Sequence, residues 1–166
     1  MDFQVRKAVS SDAEAFADIH MRSWVAAYKG IVPDEAMKKI NEGRPAMWRK
    51  TLSYKNNHYA VLQSGRVIGL MGIEASRDED VLDAGEIGAI YLHPDFFGQG
   101  YGQKAMDFAV GELRSRGYDT IILWVLEDNV AARRFYEKCG FSFDGTKKEI
   151  IIGKPLIAVR YRLELE

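Results

Sequence analysis

Three observations predict a single α/β domain for this chain of 166 residues. Apolar residues recur at helical spacing from Ala13 to about Tyr28, and short apolar runs typical of strands dominate the middle and the end of the chain. A glycine-rich loop separates one of those runs from a helix. The hydrophobic fraction of 47% and the charged fraction of 28% are ordinary for a globular domain. No repeat, low-complexity tract or linker divides the chain, so residues 1–166 are expected to form one domain.

The first third of the chain is predicted to be mostly helical after one strand. Ser11 and Glu14 match a capping box at the start of the first helix, and Gly30 ends that helix. The predicted elements are a strand through Phe3, Val5 and Ala8–Val9, a helix from Ala13 to about Tyr28, a helix from Pro33–Asp34 to about Ile40, and a helical piece from Arg44 to Leu52.

The rest of the chain alternates strand and helix patterns. Ser64 and Gly65 are a turn signal between two apolar runs, while Gly117 and Gly140 each end a helix. The predicted strands are Tyr59–Leu62, Val67–Ile73, Glu86–Leu92, Thr120–Leu126, Phe141–Asp144 and Pro155–Glu164, and the helices are Gly98–Arg116 and Asp128–Cys139. An acidic stretch is interpreted as a solvated turn and consists of Asp78, Glu79, Asp80 and Asp83.

The charge balance and the cysteine content limit the class of protein. A net charge of −1 predicts no general attraction to nucleic acid or to an anionic membrane surface. Cys139 is the single cysteine, which excludes an internal disulfide and fits a reducing compartment. The start of the chain lacks the apolar core of a signal peptide, and no apolar run approaches the roughly 20 residues of a membrane span. We therefore expect a cytoplasmic protein, with a homodimer left open.

The glycine-rich loop within residues 86–104 is the most informative segment. Gly98, Gly100 and Gly102 alternate between a predicted strand and a predicted helix, an arrangement that presents backbone N–H groups to a phosphate. A nucleotide-binding P-loop is excluded because Gln103 stands where its second glycine should be, and the dinucleotide fingerprint needs one more residue of spacing. The loop predicts a phosphorylated ligand of another kind; a tight structural turn is the alternative.

A second group of side chains follows the strand Thr120–Leu126. Asn129, Ala132, Arg133 and Tyr136 are spaced at i, i+3, i+4 and i+7, so they share one face of a helix. That face begins at the carboxyl end of a strand, where ligands bind in open α/β sheets. An amide, a small residue, a cation and a phenol are an unusual core face, although spacing alone leaves the phenol as ordinary amphipathic packing.

Together, the two segments resemble the GNAT superfamily of acetyl-CoA-dependent N-acetyltransferases. The family's cofactor motif, Arg/Gln-x-x-Gly-x-Gly/Ala after a strand, corresponds to residues 97–102, which match its two later positions at Gly100 and Gly102. Its second motif, an Asn followed by a helix ending Tyr-x-x-x-Gly-Phe, is matched from Asn129 to Phe141, and residues 24–33 resemble many bacterial members. The resemblance implies a mixed, mostly antiparallel sheet of six to seven strands, with helices on both faces and a splayed parallel strand pair that holds the cofactor.

The resemblance also implies an acetyl-CoA site. Backbone amides from Gly98 to Gln103 are expected to hold the pyrophosphate, and Ile90 and Leu92 are expected to pair with the pantetheine arm. Asn129 is expected on the pantetheine side, and Tyr136 beside the sulfur as the acid that protonates the thiolate. The implied cofactor-binding set is Ile90, Tyr91, Leu92, Phe97, Gly98, Gln99, Gly100, Tyr101, Gly102, Gln103, Asn129, Ala132, Arg133 and Tyr136. No metal is expected.

Phe97 departs from the family motif, which has Arg or Gln at this position. The departure removes a side-chain contribution to the phosphate and leaves the backbone donors in place. Lys104, Arg133 or Arg134 could supply the missing charge, or each could simply be exposed to solvent.

An amine must be neutral to attack, so a lysine-like acceptor needs a base. Glu86 is the preferred candidate because the histone-acetylating branch of the family keeps its catalytic Glu at the same offset before the loop, and strand alternation predicts Glu86 on the face of Ile90 and Leu92. A solvated carboxylate at the strand edge is the alternative. Glu74 and His93 are weaker candidates. Cys139 is assigned to packing.

The acceptor pocket is the least defined part of the prediction. The resemblance places it after the first strand, where Trp24, Tyr28 and the loop through Pro33 are candidates that a helix core would also use, and Glu42, Arg44 and Trp48 are similar candidates. The predicted function is acetyl transfer from acetyl-CoA to a primary amine, on a small molecule or a peptide, by direct attack in a ternary complex. The alternatives are a transferase of a larger acyl-CoA and a catalytically silent acyl-CoA-binding module.

Overall fold

The computed structural model describes residues 2–166, within which seven strands and five α-helices are found. The strands are β1 (Phe3–Lys7), β2 (His58–Gln63), β3 (Arg66–Ala75), β4 (Gly85–Leu92), β5 (Thr120–Leu126), β6 (Ser142–Ile151) and β7 (Pro155–Glu164). The helices are α1 (Ala13–Tyr28), α2 (Asp34–Glu42), α3 (Arg44–Tyr54), α4 (Tyr101–Ser115) and α5 (Val130–Lys138). No helix of this part of the chain is long and apolar enough to span a membrane.

All seven strands form one sheet in the order β1-β2-β3-β4-β5-β7-β6. Every neighbouring pair is antiparallel except β4 and β5, which run parallel. That parallel pair is joined only at its start, where Gly85 lies opposite Ile121 and Glu86 lies opposite Ile122. Beyond these residues the two strands diverge. The predicted sheet of six to seven strands with a splayed parallel pair is therefore confirmed.

The sheet is covered by helices on both faces, as predicted. On one face α4 contributes Ala105, Met106, Ala109 and Leu113 to a core that also contains strand residues such as Ile121 and Leu123. On the other face α1 contributes Phe16 and Ile19, and α3 contributes Trp48, against Ala60 and Leu70 of the sheet. Burial of these apolar faces provides the main free energy of folding. It also fixes the helices on either side of the opening between β4 and β5.

A β-bulge in β4 changes which side chains share a face. Gly72 lies opposite Ala89, whereas Ile73 lies opposite Ile87, so Gly88 is the extra residue. Ile87 consequently packs on the same face as Ile90, and Ala89 packs on the opposite face. The prediction that Glu86 shares a face with Ile90 and Leu92 is wrong for this reason, because simple alternation does not survive an inserted residue.

The predicted capping box at the first helix is also wrong. The carboxylate of Asp12 accepts a hydrogen bond of 2.8 Å from the backbone N–H of Val9 and pairs with Arg6 at 2.8 Å. Glu14 instead pairs with Arg49 of α3 at 2.8 Å. Asp12 is the N-cap residue of α1 but makes no side-chain hydrogen bond to the helix, because its carboxylate is engaged by Val9 and Arg6, and the sequence alone does not show the contact with Arg6.

The acidic stretch before β4 is more than a solvated turn. Arg160 of β7, which is only 3% exposed, binds Asp78 at 3.0 Å and Asp80 at 2.7 Å. Asp144 of β6 binds the same guanidinium at 2.6 Å. These charge-assisted hydrogen bonds connect the loop before β4 to the two last strands of the sheet, across the end of β5.

Candidate active site

A cleft of about 820 Å³ opens where β4 and β5 diverge. Its walls come from α1, from the end of β4, from the glycine-rich loop and from α5. A second cavity of about 50 Å³, lined in part by the same residues, lies in the gap between the strands. Thirteen of the residues singled out from the sequence line the large cleft, namely Trp24, Tyr28, Ile90, Tyr91, Leu92, Phe97, Gly98, Gly100, Gly102, Gln103, Asn129, Ala132 and Tyr136. Two segments far apart in sequence thus meet at one opening.

The glycine-rich loop has the backbone geometry of an anion-binding nest. Gly98 has a φ of 72° and Gly100 has a φ of 87°, both in the left-handed region that glycine adopts at little cost. Gly100 is the residue at which α4 begins, so the free N–H groups of the first helical turn face the cleft together with those of the loop. This end of α4 carries the positive end of the helix dipole and suits a phosphate.

Gly102 has a different role from the other two glycines. A Cβ at this position would lie 3.2 Å from two ring carbons of Phe135 on α5. The glycine therefore allows α4 and α5 to approach each other. Gly102 also lines the cleft, so its part in holding a ligand stays a prediction.

The glutamine side chains at the loop are engaged by hydrogen bonds within the protein. Gln99 donates to the backbone oxygen of Asp95 at 2.9 Å, and Gln103 donates to Asp107 at 2.9 Å. Phe97 lines the cleft with 48% of its surface exposed. The loop therefore offers backbone donors and an apolar ring, and none of its residues that line the cleft is cationic; the cation among the lining residues is Lys138, at the end of α5.

The free edge of β4 forms the floor of the cleft. Ile90, Tyr91 and Leu92 are hydrogen-bonded to β3 on one side only, because β5 has already diverged on the other. The backbone groups on that second side are available to an extended ligand that carries amides, in the way that a peptide adds a strand to a sheet.

On α5, Asn129 and Tyr136 lie at the cleft, whereas Arg133 turns away from it. The Asn129 side chain accepts from the Ala132 N–H at 3.2 Å and so caps the helix. Arg133 donates to the Tyr161 hydroxyl at 3.0 Å and to a backbone oxygen of Glu127 at 3.0 Å. Its guanidinium is held by these contacts and does not replace the cation missing at Phe97.

Tyr136 lies where the cleft meets the gap between the strands. Burial raises the pKa of its phenol well above the ordinary value, and the neighbouring hydroxyls of Tyr91 and Tyr28 raise it further. The phenol is therefore fully protonated at neutral pH. A protonated hydroxyl in a low-dielectric position is suited to donate a proton or a hydrogen bond.

Glu86 is buried, with 8% of its surface exposed, and lies outside both cavities. Burial is the main cause that raises the pKa of its carboxyl, and the charge of Asp78 adds to the effect. The bulge at Gly88 turns Glu86 away from Ile90 toward the face on which Ala89 and Tyr91 pack against α1. Its geometry does not match a carboxylate solvated at a strand edge.

The remaining sequence candidates have structural partners. His93 accepts from the Asp95 N–H at 3.1 Å and stabilises the turn before the loop. The thiol of Cys139 lies 3.5 Å from Gln103, and burial raises its pKa, so it is poorly activated as a nucleophile. Glu74 of β3 lies opposite Glu86 of β4 in the strand register, and it forms no part of the cleft.

Sequence reasoning missed the side chains of His20 and Tyr91. Tyr91 stands in the implied cofactor-binding set with no role for its side chain, yet its ring stacks on His20 at 4.5 Å between centroids and borders the cleft. His20 has the spacing of a core residue in α1, so the sequence pattern gives it no role at the site. Only the tertiary contact between α1 and β4 reveals the pair.

The family model for the acetyltransferase (GNAT) family matches residues 13–141 of this chain. The chain belongs to this family. It is 29% identical over 125 residues to YuaI, an uncharacterized N-acetyltransferase of Bacillus subtilis, and this alignment covers 75% of the chain and 72% of that protein. The predicted enzyme class, an acyltransferase of the GNAT family, is confirmed.

Two solved structures show the same fold over almost the whole chain. The N-acetyltransferase PaiA of Thermoplasma acidophilum, in complex with coenzyme A, has a TM-score of 0.78 at 19% identity, with 99% of each chain covered. YncA of Salmonella typhimurium, solved with its cofactor acetyl-CoA, has a TM-score of 0.70 at 18% identity, with 100% of this chain and 95% of that chain covered. At these identities the likeness concerns the fold.

Proposed function

We propose that this GNAT acyltransferase moves an acetyl group from acetyl-CoA to a primary amine by direct attack in a ternary complex. The observation that carries the proposal is the continuity of the nest at Gly98 and Gly100 with the free edge of β4. Backbone donors for a pyrophosphate, an open strand edge for an amide-bearing arm and a protonated phenol follow one another along the cleft. The presence of coenzyme A or acetyl-CoA in the two neighbouring structures supports the same ligand.

In this proposal the backbone of β4 and the helix α5 position the thioester. The N–H of Ile90 donates to the acetyl oxygen, where negative charge grows as the amine attacks. Tyr136 donates its proton to the departing thiolate, whose conjugate acid has a pKa of roughly 8.5 in an unperturbed thiol. Because the Tyr136 phenol is protonated throughout the neutral range, it is always competent as the acid.

Glu86 is the proposed base, and it acts through water because it lies outside the cleft. Its raised pKa brings it closer to the pH at which an amine acceptor must lose its proton. The face it shares with Tyr91 also faces α1, which supplies Trp24 and Tyr28 to the cleft. An acceptor amine entering from α1 would therefore approach the carboxylate side of β4.

The size of the inner cavity favours acetyl over a larger acyl group. The cavity between the diverging strands measures about 50 Å³ beside Ile90 and Tyr136. The rings of Tyr28 and Tyr91 border the same space. A long acyl chain would have to displace these rings, whereas an acetyl group would not.

Isothermal titration of acetyl-CoA, with free coenzyme A and ATP as controls, tests the cofactor assignment. We expect micromolar binding of both coenzyme A species and none of ATP, followed by thiol release when an amine panel is added. Absence of binding would mean that Phe97 marks a loop that has lost its ligand, and the proposal would be abandoned. Binding without turnover on any amine would favour the silent module instead.

A further inference from the structure

A cluster of buried N–H donors without hydrogen-bond partners lies behind the wall of the cleft that α1 forms. Among residues 2–166, the unpartnered buried groups include Nε and Nη2 of Arg44, Nε1 of Trp24 and Nε2 of His20. Arg44 comes from the start of α3, while the other two come from α1. The guanidinium carbon of Arg44 lies 4.4 Å from the Trp24 ring, and the rings of Trp24 and His20 are 5.8 Å apart.

Arg44 is a buried cation with no carboxylate partner in the described part of the chain. It is 7% exposed, and within residues 2–166 the single hydrogen-bond contact of its guanidinium is from Nη1 to the sulfur of Met47 at 3.9 Å. Burial lowers the pKa of Arg44, and the groups that act in the opposite direction are the hydroxyls of Tyr91 and Tyr28. The other buried arginine, Arg160, has three carboxylates around it.

The tautomer of His20 adds a donor to the same cluster. The Trp48 indole N–H donates to Nδ1 of His20 at 3.1 Å, so Nδ1 carries no proton. Burial and the nearby Arg44 lower the pKa of His20 to about 3, and the ring is neutral at physiological pH. A neutral ring that accepts at Nδ1 carries its proton on Nε2. All the unpartnered atoms of the cluster are therefore N–H donors.

We propose that Arg44, Trp24 and His20 bind a carboxylate of the acceptor, so that the amine substrate of this enzyme is an amino acid or another amine that carries a carboxylate. The inference rests on the proposed function, and it names the class of acceptor that function leaves open. An ionised carboxylate accepts several N–H donors at once and neutralises a buried guanidinium.

The position of the cluster fits an acceptor held against the cleft. Trp24, Tyr28 and Tyr91 line the cleft, and Tyr28 and Tyr91 also border the cavity between the strands. The unpartnered atoms are shielded from water in the free protein. An incoming carboxylate therefore displaces one of these rings, which leaves the amine of a short substrate on the side of Tyr91 and Ile90.

The first test measures how far the unpaired cluster destabilises the free protein. An unpaired buried cation at the start of a helix opposes folding through desolvation and through the helix dipole. We expect Arg44→Met to raise the melting temperature by about 2 to 6 °C, because in a chain of this length a modest gain in the free energy of unfolding shifts the melting temperature by a few degrees. Arg49→Met, in the same helix but in an exposed ion pair with Glu14, should leave it nearly unchanged. A lower melting temperature for Arg44→Met would overturn the inference, because Arg44 would then be a structural residue.

The second test compares each acid with its amide. Thiol release is measured with a panel of L-amino acids and the matching L-amino acid amides, which share an amine and a side chain. We expect the acids to have kcat/KM about 10- to 100-fold above the amides in the wild-type enzyme, and the preference to disappear in Arg44→Gln. Equal rates for acid and amide, or a preference that survives Arg44→Gln, would overturn the inference.

Thermal shift with free coenzyme A present separates this inference from the proposed function. The protein is titrated with the same acids and amides, and stabilisation is read without any turnover. Stabilisation by acids only, lost in Arg44→Gln, supports the carboxylate site even if no acetylation is detected. Absence of stabilisation by any acid, in a protein that binds acetyl-CoA, would overturn the carboxylate site and leave the acetyltransferase proposal intact.

Discussion

Gly102 of α4 packs directly against Phe135 of α5, so closely that a methyl group at Gly102 would lie 3.2 Å from two carbons of the ring and would require it to shift. The contact joins the helix that begins at the phosphate nest to the helix that carries Tyr136. The two halves of the candidate site are therefore joined by a helix–helix contact whose two residues both line the cleft.

Replacement of Gly102 by Ala tests this contact. We expect Gly102→Ala to push α4 away from Phe135 and to lower the free energy of unfolding by about 1 kcal/mol. Gly111→Ala in the same helix is the matched control, because its Cβ would meet nothing within 4 Å. It should gain about 0.5–1 kcal/mol from better helix propensity. Urea unfolding measures the free energy of unfolding of both variants. Equal changes in the two would show that the contact between Gly102 and Phe135 can accommodate a methyl group.

Gly100→Ala should weaken the binding of coenzyme A. The φ of 87° at Gly100 is unfavourable for any residue with a Cβ, so the loop would rearrange or pay about 1–2 kcal/mol. Gly117, at the end of α4, has a φ of 94° and open space around it, so Gly117→Ala carries the same strain far from the cleft. Both variants should lose stability, and only Gly100→Ala should raise the dissociation constant in titration. A dissociation constant of coenzyme A that Gly100→Ala leaves unchanged would show that the nest does not bind coenzyme A.

Tyr136→Phe should lower kcat by about 10- to 1000-fold, the range typical of a lost general acid. The dissociation constant of acetyl-CoA should stay close to normal, since the ring and its packing remain. Steady-state kinetics together with titration separate these two quantities. Unchanged turnover would remove the proton-donating role from Tyr136.

Glu86→Gln should impair turnover mainly at low pH, where the acceptor amine is protonated and a base is most needed. The same variant should be more stable than the wild type at pH 8. Because the folded pKa of Glu86 is raised, ionising the carboxyl opposes folding above that pKa, and this penalty disappears below the ordinary Glu value near 4.3. Gln removes the penalty, so its stabilising effect should shrink as the pH falls toward 4.

Two measurements check the Glu86 assignment. A pH profile of kcat/KM from pH 6 to 9 measures the catalytic effect. Thermal unfolding over pH 4 to 8 measures how stability depends on the protonation of Glu86. A loss of turnover that is independent of pH would contradict the base role. A stability difference that is constant with pH would instead contradict the raised pKa.

The sequence predicted the architecture well because its strongest signals are local. Helical spacing in α1, the turn at Ser64 and Gly65, and the alternating glycines before α4 each depend on neighbouring residues only. The strand β6 was predicted too short, ending at Asp144, because it continues to Ile151 through polar residues on the sheet edge. Its pairing with β7 maintains it, and the apolar pattern does not show that pairing.

The features that sequence reasoning missed all depend on contacts between distant segments. The bulge at Gly88 is defined by the offset between β3 and β4, and it alone decides which way Glu86 faces. Arg160 binds Asp78 from 82 residues away in the chain. Arg44 could be named as an acceptor-side candidate, but only the structure reveals that it has no counterion.

The clamp formed by Arg160 has a consequence for how the enzyme would behave during turnover. By connecting the loop before β4 to β6 and β7, it ties the start of β4, where β4 and β5 still pair, to the strands beyond β5. In the proposed reaction, a wedge between β4 and β5 held in this way would recognise the part of coenzyme A that the reaction leaves unchanged. The deacylated product should then hold its place nearly as well as the acetylated substrate, and its departure would set the pace of the cycle.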